Sequence, residues 1–380
     1  MISPLPVAAH ASGLIVTLSA LPPLEALAQE WRALEARAHA SFFVSWSWIG
    51  PWLSTLPVNI RPRLVRASRG DRVLGLAVVV ESPIRDLPIP FGRAAWLHAT
   101  GQSRLDGITI EHNGFLVDAG CAQSVRDGML AFLMDESRPW RRISVPMLGG
   151  GVQPHAMPEA NTRLVQTRSS KPCWIVDLNK TRASVNGHLG LLSAKARASL
   201  RRTLRACEAL GPLRVEEAND LATAQQFMAS LLDLHERRWK ALAVPSAFAT
   251  PFAQRFHAEL LAQAFNRGEV QLLRVRAGSR DMGFLYNFVH GDRVSFYQSG
   301  FDYELLDSRF SIGLATLAVA IEHNARQGHQ VFDFLGGAAQ YKQTLATDCE
   351  ELLTCVVDRR GHLYETERWL RSNVLPVVHR

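Results

Sequence analysis

Cysteine is scarce in this sequence of 380 residues, which contains only five scattered cysteines. The odd number and the absence of a Cys-x-x-Cys pair argue against a disulfide framework and a cysteine-based zinc site, so we expect a reducing, cytoplasmic location. No run of about 18 apolar residues occurs, so no membrane-spanning helix is expected. The cysteines are Cys121, Cys173, Cys207, Cys349 and Cys355.

Several catalytic motifs are also missing. The sequence has no G-x-S-x-G elbow, phosphate-binding P-loop, H-E-x-x-H pair or G-x-G-x-x-G fingerprint. We therefore expect no metal and no dinucleotide cofactor. The stretch Met1–Pro23 lacks a basic start and contains several prolines, so it is interpreted as a tail and a strand, not as a secretory signal.

The composition is that of a folded protein, with 47% hydrophobic and 20% charged residues. The length suggests two domains, which we place at residues 1–170 and 171–380. The net charge is +7, and arginine far outnumbers lysine. Such a charge favours anionic partners such as phosphates, CoA, nucleic acid or acidic lipid, although an arginine-rich proteome would leave the same signature.

The second half has a readable order of elements. Hydrophobic periodicity and turn residues predict β, α, α, β, β, β, α, β, short helix, β from Leu213 onward. A doubly wound fold would alternate strands and helices more strictly. The first half repeats this order more faintly, which suggests an internal duplication. Gly149–Gly151 and the residues to Pro158 are predicted as a loop.

Six short strings, in this order, resemble the CelD-like acyltransferases of bacterial cellulose and exopolysaccharide genes. That group belongs to the GNAT superfamily and is distantly similar to the Fem peptidyltransferases. The strings are Phe42–Trp48 (FFVSWSW), His112–Val117 (HNGFLV), Leu192–Leu210 (LSAKARASLRRTLRACEAL), Leu234–Trp239 (LHERRW), Phe296–Asp302 (FYQSGFD) and Val331–Lys342 (VFDFLGGAAQYK).

The resemblance implies an α/β (α+β) fold with two tandem GNAT-like (acyl-CoA N-acyltransferase) domains and mixed central sheets. It implies transfer of an acyl group from acyl-CoA, as co-substrate, to an amine or hydroxyl. The C-terminal domain would hold acyl-CoA. The N-terminal domain lacks a candidate phosphate loop, so it would be degenerate and would shape the acceptor cleft.

The resemblance places the CoA pyrophosphate at a helix beginning near Ser311. Free backbone N–H groups and the helix dipole attract anions at such a terminus. Arg309 could pair with a phosphate, and Ile312 and Gly313 would let it approach the backbone. The alternative is an ordinary helix start capped by Ser311.

The thioester would lie between two splayed strands, Val294–Gly300 and His329–Phe334. A backbone N–H near Gln298 or Ser299 could polarise its carbonyl, and Tyr297 could line the acceptor pocket. On an alternating strand, each of these side chains could equally face the core.

Acid–base candidates follow from the family strings. Tyr341 is the candidate general acid for the leaving thiolate, and Lys342 could hold a phosphate or an acceptor carboxylate. His235 is the first candidate general base, with Trp239 one helical turn away, and Asp333 is the second. The alternative for each is a structural role.

The first half supplies candidate acceptor residues. His112, which is also a third candidate base, lies in a polar segment with Asp106 and Asn113. Trp48 could line a cleft for a sugar or acyl chain, although core packing is the usual role of tryptophan. The acceptor is predicted to be a sugar, an amino sugar or a small amine, and the resemblance implies a place in envelope or exopolysaccharide synthesis.

A basic helix carries Arg197, Arg201 and Arg205 along one face, with Lys195 and Arg202 beside them. Such a face is usually solvated, and a phosphate-bearing acceptor or tRNA is the functional alternative. No aromatic residues alternate with these cations, so nucleic acid is not the expected partner. Two other functions stay open: a Fem-like transferase that uses aminoacyl-tRNA, and an inactive scaffold in a polysaccharide-synthesis assembly.

Overall fold

A computed structural model describes residues 8–9, 13–85, 91–149, 163–243 and 246–373 of the chain. Most of the loop predicted from Gly149 to Pro158 lies outside these residues. The strands are β1 (Ala8–Ala9), β2 (Ile15–Ala20), β3 (Pro62–Arg69), β4 (Arg72–Pro83), β5 (Arg93–Leu97), β6 (Leu116–Val117), β7 (Arg142–Leu148), β8 (Leu164–Asp177), β9 (Leu213–Glu217), β10 (Val270–Ala277), β11 (Arg280–His290), β12 (Arg293–Phe301), β13 (Val331–Gly336) and β14 (Asp348–Arg359).

The α-helices lie between these strands and after the last one. They are α1 (Leu24–Glu35), α2 (Trp46–Thr55), α3 (Ser103–Asp106), α4 (Ala122–Met134), α5 (Leu178–Ala183), α6 (Gly187–Leu191), α7 (Ala194–Glu208), α8 (Leu221–Ala241), α9 (Pro251–Ala264), α10 (Ile312–Arg326), α11 (Gln340–Leu345) and α12 (His362–Asn373). In the described ranges, none of these helices is both long and apolar enough to cross a lipid bilayer.

The chain divides into two compact units between Ser170 and Lys171. Unit 2 extends from Lys171 to Glu351, and the residues from Leu352 onward belong to unit 1. The predicted C-terminal domain, 171–380, differs from unit 2 at this end. The reason is that residues 353–358 pair with β7 of unit 1.

Unit 1 has a mixed sheet in the order β1-β2-β3-β4-β5-β7, followed by residues 353–358 of β14. β5 and β7 run parallel, and the other neighbours in this order are antiparallel. Helix α4 buries Val125 and Met129 against the sheet. A Cβ at Gly75 of β4 would lie 2.6 Å from the Met129 sulfur, so only glycine permits this close approach.

A buried cluster of ions holds the C-terminal segment within unit 1. The Arg141 and Arg142 guanidinium groups donate to Asp358 at 2.5 and 2.9 Å. Both arginines also pair with Glu367 of α12. The two carboxylate side chains are only 5% and 3% exposed, so the ion pairs are screened little by water.

Unit 2 has a mixed sheet in the order β9-β10-β11-β12-β13, with residues 173–177 of β8 at its edge. β12 and β13 run parallel, and the other neighbours are antiparallel. Tight turns at Gly278 and Gly291, with φ of +57° and +55°, join the β10–β11 and β11–β12 hairpins.

The two faces of the unit 2 sheet have different helical covers. Successive residues of a strand point to opposite faces. In β11, Leu285 belongs to a core that includes Ile321 of α10, whereas the neighbouring Phe284 contacts Phe227 of α8. Helix α10 therefore covers one face, and α8 covers the other.

Both units repeat the order β, α, α, β, β, β, α, β, which supports the predicted duplication. In unit 1 these elements are β2, α1, α2, β3, β4, β5, α4 and β7, with α3 and β6 inserted. In unit 2 they are β9, α8, α9, β10, β11, β12, α10 and β13.

Candidate active site

The parallel strands β12 and β13 stay paired for only three residue pairs, which end at Ser295–Asp333. Beyond this point β12 continues to Phe301 along β11, and β13 turns away to pair again with β8 at Gly336. The predicted splay between these two strands is therefore present. From Phe296 onward, the edge of β12 that faces β13 is no longer paired with it.

A β-bulge lies on β12 where the splay begins. Tyr286 pairs with Gln298 and Asn287 pairs with Phe296, so Tyr297 is the extra residue. A bulge redirects the side chains next to it. The half-buried Tyr297 ring consequently lies 4.8 Å from Phe288 and 5.2 Å from His257 on the α9 side of the sheet. The predicted neighbours Gln298 and Ser299 remain in the ladder with β11.

β13 ends in a kink at Leu335, whose φ is +61°. This conformation costs free energy for a residue other than glycine and persists only when its surroundings hold it. The Leu335 N–H donates to the Asp333 carboxylate at 2.7 Å. The Lys342 ammonium donates to the carbonyls of Leu335 and Gly336 at 3.1 and 2.8 Å. Lys342 thus holds the kink, which differs from the predicted phosphate or carboxylate contact.

Asp333 also has structural contacts in place of the predicted role as second base. It is fully buried, and Arg293 donates to its second oxygen at 2.7 Å. The Cys173 thiol lies 3.2 Å from its first oxygen. Burial alone would lower the pKa of Arg293, but Asp333 and Glu350 outweigh burial and raise it. Arg293 and Cys173 therefore fix the Asp333 carboxylate in place.

His235, on α8, has the geometry of a base. Its Nδ1 lies 3.0 Å from the Ser299 carbonyl, which can only accept, and 3.3 Å from the Trp239 indole N–H, which can only donate. One ring nitrogen cannot fill both roles, and the shorter contact, to Ser299, favours the proton on Nδ1. Nε2 then keeps its lone pair, and this buried atom has no hydrogen-bond partner in the described part of the chain. Burial lowers the pKa of His235, while the bond to Ser299 raises it less. The predicted neighbour Trp239 lies 5.6 Å away, ring centroid to ring centroid.

A second histidine, His257, was missed by the sequence analysis. It is buried on α9, where its ring nitrogens lie 3.5 Å from the Tyr286 hydroxyl and 3.4 Å from the Tyr297 hydroxyl. Phe248 links the two histidines, at 5.3 Å from His235 and 5.0 Å from His257. Burial lowers the pKa of His257 to about 3, so its ring is neutral. The only sequence signal was a histidine at a buried helical position.

Tyr341 lies on α11 at the other face of the sheet. Its ring packs edge-on against Phe334 at 6.1 Å and borders the core that α10 also joins. His235 belongs to the aromatic cluster of α8 and α9. The structure thus places the predicted acid and base in different side-chain clusters, next to β13 and β12 respectively.

The α10 N-terminus has the features expected of an anion site. Ser311 occupies the N-cap position without a side-chain cap bond, in contrast to the capping alternative. The first amide groups of the helix, at Ile312 and Gly313, are therefore not capped by it. Arg309 is exposed, lies over the Phe310 ring and is 4.0 Å from Asp307. A Cβ at Gly313 would lie 3.0 Å from Phe301, so glycine also serves packing there.

The basic helix α7 adjoins this terminus. Ser311 donates its backbone N–H to the Thr203 hydroxyl at 3.4 Å. Arg201, Arg202 and Arg205 are exposed beside Thr203. The described residues provide no acidic partner for these three arginines. Arg197 donates to the Gly190 carbonyl instead.

The predicted acceptor residues of unit 1 are mostly structural. Asp106 accepts from the backbone N–H and hydroxyl of Thr100, and burial raises its pKa. Asn113 is buried and bonds to His98 and to the Leu97 carbonyl. Trp48 is 1% exposed, so it packs in the core and does not face a cleft.

His112 is the exception in unit 1, because it is half-buried and its φ is +43°. Its carbonyl accepts from the Ser41 hydroxyl at 2.8 Å. His98, Thr109 and Met147 also have positive φ in this unit. Met147 lies near the end of β7, the strand that corresponds to β13 in the repeated order. Each unit therefore has a residue with a strained backbone close to the end of the equivalent strand, β7 in unit 1 and β13 in unit 2.

Comparison with known proteins agrees with this fold. Residues 194–343 match the family model described as an acetyltransferase (GNAT) domain. No curated protein matches the chain. The structure of FemX has 10% sequence identity, a TM-score of 0.54, and an alignment that covers 86% of this chain and 95% of FemX.

Another similar structure is the C-terminal domain of a putative lysylphosphatidylglycerol synthetase from Agrobacterium fabrum. It has 10% identity, a TM-score of 0.53, and coverage of 91% of this chain and 97% of that domain. At this identity, the likeness shows the fold alone. The predicted fold class is confirmed: the chain has two tandem GNAT-like units with mixed sheets, and residues 194–343 match an acetyltransferase (GNAT) domain.

Proposed function

We propose that the chain transfers an acyl group from acyl-CoA to an amine or hydroxyl of a sugar or small-molecule acceptor. The observation that supports this most directly is the splay of β12 and β13 in the same domain as the uncapped N-terminus of α10. A thioester fits between diverging strands, and a helix N-terminus attracts the pyrophosphate. The acceptor class, and a place in envelope or exopolysaccharide synthesis, rest on the CelD-like strings.

The residues present fit this donor. The amide groups of Ile312 and Gly313 would hold the pyrophosphate, and Arg309 would add a charge-assisted hydrogen bond. Backbone groups of β12 near Gln298 and Ser299 would polarise the thioester carbonyl. Pre-organised donors of this kind often provide the largest single contribution to catalysis.

Acyl transfer would proceed by direct attack in a ternary complex. The acceptor lone pair forms a bond to the thioester carbon, and the carbon–sulfur bond breaks. His235 Nε2 takes the proton that the acceptor loses, and the Tyr341 hydroxyl protonates the departing thiolate. Tyr297, redirected by the bulge, would line the acceptor side with His257 behind it.

Titration of the whole chain with CoA, acetyl-CoA and a long-chain acyl-CoA tests the donor. Calorimetry gives the affinity, and thermal unfolding should show a stabilisation of about 2.7 kcal/mol at a ligand concentration of one hundred times Kd. Arg309→Met should weaken binding about tenfold. Arg280→Met, which removes another exposed arginine from unit 2, should leave it unchanged. Absence of binding to all three ligands would contradict the proposal.

A second donor, aminoacyl-tRNA, is favoured by the unpaired arginines of α7. A tRNA site there predicts an affinity that falls steeply as the salt concentration rises. In a plot of log affinity against log salt concentration, each phosphate contact should add about −0.7 to −0.9 to the slope. Replacing Arg201, Arg202 and Arg205 together by Met should remove that slope but spare CoA binding. If neither donor binds, the inactive scaffold is the remaining hypothesis.

A further inference from the structure

Unit 2 contains a cavity of about 230 Å³ between α6, α7, β9 and α10. Most of its wall is aliphatic, as at Leu204, Val215 and Val319. Three polar residues complete the wall: His188, Glu322 and Arg326. Glu322 lies ten residues beyond Ile312 on α10, or about 15 Å along the helix, so the cavity is separate from the proposed pyrophosphate site.

Two opposite charges border this cavity without neutralising each other. Glu322 and Arg326 are spaced i, i+4, an arrangement in which a glutamate and an arginine can pair. No ion pair joins them, and Arg326, which is exposed, has no acidic partner among the described residues. Glu322 accepts the backbone N–H of His188 at 2.5 Å through one oxygen. A negative and a positive group thus remain available at an otherwise aliphatic wall.

The His188 ring adds an unsatisfied polar group. It is fully buried, and neither ring nitrogen has a hydrogen-bond partner in the described part of the chain. Burial lowers its pKa to about 4, so the ring is neutral and offers one donor and one acceptor. A buried polar group without a partner destabilises the fold, and a polar ligand group could relieve this cost.

We propose that this cavity binds a small aliphatic zwitterion, such as a free α-amino acid with a branched apolar side chain. Arg326 binds the carboxylate, Glu322 binds the ammonium, and the aliphatic wall encloses the side chain. Each charge of the ligand meets its complement, whereas a fatty acid could pair its carboxylate with Arg326 but would leave the Glu322 charge without a partner. The volume is below the ~300 Å³ typical of drug-sized ligands, so it suits a smaller molecule.

The test uses the full chain and three probes of similar shape. L-leucine carries both charges, isovalerate lacks the ammonium, and isoamylamine lacks the carboxylate. Titration is followed by calorimetry and by the NMR signals of the His188 imidazole. We expect L-leucine to bind at least tenfold more tightly than either single-charge analogue and to shift the His188 signals.

Matched variants locate the site. Arg326→Met and Glu322→Gln should each weaken L-leucine binding about tenfold, and glutamine keeps an oxygen that can accept the His188 N–H. Arg280→Met is the control and should bind normally. Equal affinity for L-leucine and isovalerate, or no effect of Arg326→Met, would overturn the proposal. Failure of all three probes to bind would do the same. None of these outcomes depends on the donor, because acyl-CoA binding is measured separately.

Discussion

A buried histidine can act as a general base when one ring nitrogen is fixed as a donor and the other keeps its lone pair. His235 meets this condition, since the contact to the Ser299 carbonyl favours the proton on Nδ1. The carbonyl belongs to β12, the strand that would polarise the thioester. The base and the reacting carbonyl are thereby held by the same strand, and a proton can move without a change of tautomer beforehand.

Replacing His235 by Asn should lower kcat by about 10²–10⁴-fold if His235 is the base. Because burial lowers its pKa, the neutral, active ring should persist below the ordinary value of ~6.5. The acid limb of kcat/KM in the parent should therefore lie below that value and should vanish in the variant. Steady-state rates across pH 5–8 measure both effects.

The control for this experiment is His362→Asn, which removes an exposed histidine from α12. It should leave both the rate and the pH profile unchanged. An unchanged acid limb in His235→Asn would exclude His235 as the titrating group.

Lys342 allows the structural and phosphate roles to be separated. Lys342→Met removes two hydrogen bonds to the strained segment at Leu335 and Gly336. It should lower the free energy of unfolding by about 1–3 kcal/mol, since two partly buried carbonyls lose their donor. CoA affinity should stay the same. Denaturant titration and calorimetry measure the two quantities.

The comparison for Lys342 is Lys240→Met, which breaks an exposed ion pair with Glu236. Surface pairs of this kind contribute about 0–1 kcal/mol. A large loss of CoA affinity in Lys342→Met, with stability unchanged, would restore the phosphate role.

The residues of this site were only partly readable from the sequence. His235 and Tyr297 lie in family-like strings, so the sequence could propose them as site residues. His257 was missed because a single histidine in an amphipathic helix has no local signal, and its tyrosine partners come from distant strands. The kink at Leu335 was missed because its φ depends on contacts from Asp333 and Lys342, not on the local residue type.

At the scale of elements, the C-terminal strand and helix complete unit 1. The sequence predicted the strand β14, but periodicity carries no information on which strand it pairs with, and α12 was not predicted. The buried face of α12 explains this, because it presents Glu367 and not an apolar stripe. The ion cluster with Arg141, Arg142 and Asp358 takes the place of hydrophobic contacts.

Asp358→Asn should therefore be strongly destabilising. The variant leaves two buried guanidinium groups with one fewer anion, and breaking a buried pair typically costs about 3–5 kcal/mol. Denaturant titration measures the loss. Glu136→Gln is the matched control, because Glu136 pairs with Arg163 on the surface, where the side chains are 70% and 74% exposed.

Salt gives a second criterion for the ion cluster. The contribution of the buried Asp358 to the free energy of unfolding should persist in 1 M salt, whereas any contribution of the exposed Glu136 should be screened. Equal and small effects of the two substitutions would contradict the structural role given to the cluster.

At the scale of the whole molecule, buried histidines link folding to pH, and three of them have strongly lowered pKa values. Burial lowers the pKa of His98 in unit 1 and of His188 in unit 2 to about 4, and that of His257 in unit 2 to about 3. The unfolded chain binds a proton at each site near pH ~6.5, but the folded chain does not. The contribution of these neutral histidines to the free energy of unfolding should therefore be fully present above this pH. It should decrease as the pH falls toward the folded pKa values.

Each such histidine contributes about 1.4 kcal/mol per pH unit in this window. Between pH 6 and pH 5, unit 2 should lose at most about 2.7 kcal/mol through His188 and His257, and unit 1 at most about 1.4 kcal/mol through His98. Hydrogen exchange of β10–β12 and of β3–β5, corrected for intrinsic rates, reports the two units separately.

His188→Phe should reduce the pH slope of the unit 2 stability by about 1.4 kcal/mol per pH unit, whatever its effect on absolute stability. The slope of unit 1 should not change, because His98 remains. An unaltered unit 2 slope in His188→Phe would mean that His188 titrates alike in the folded and unfolded chain, which its burial without hydrogen-bond partners among the described residues argues against.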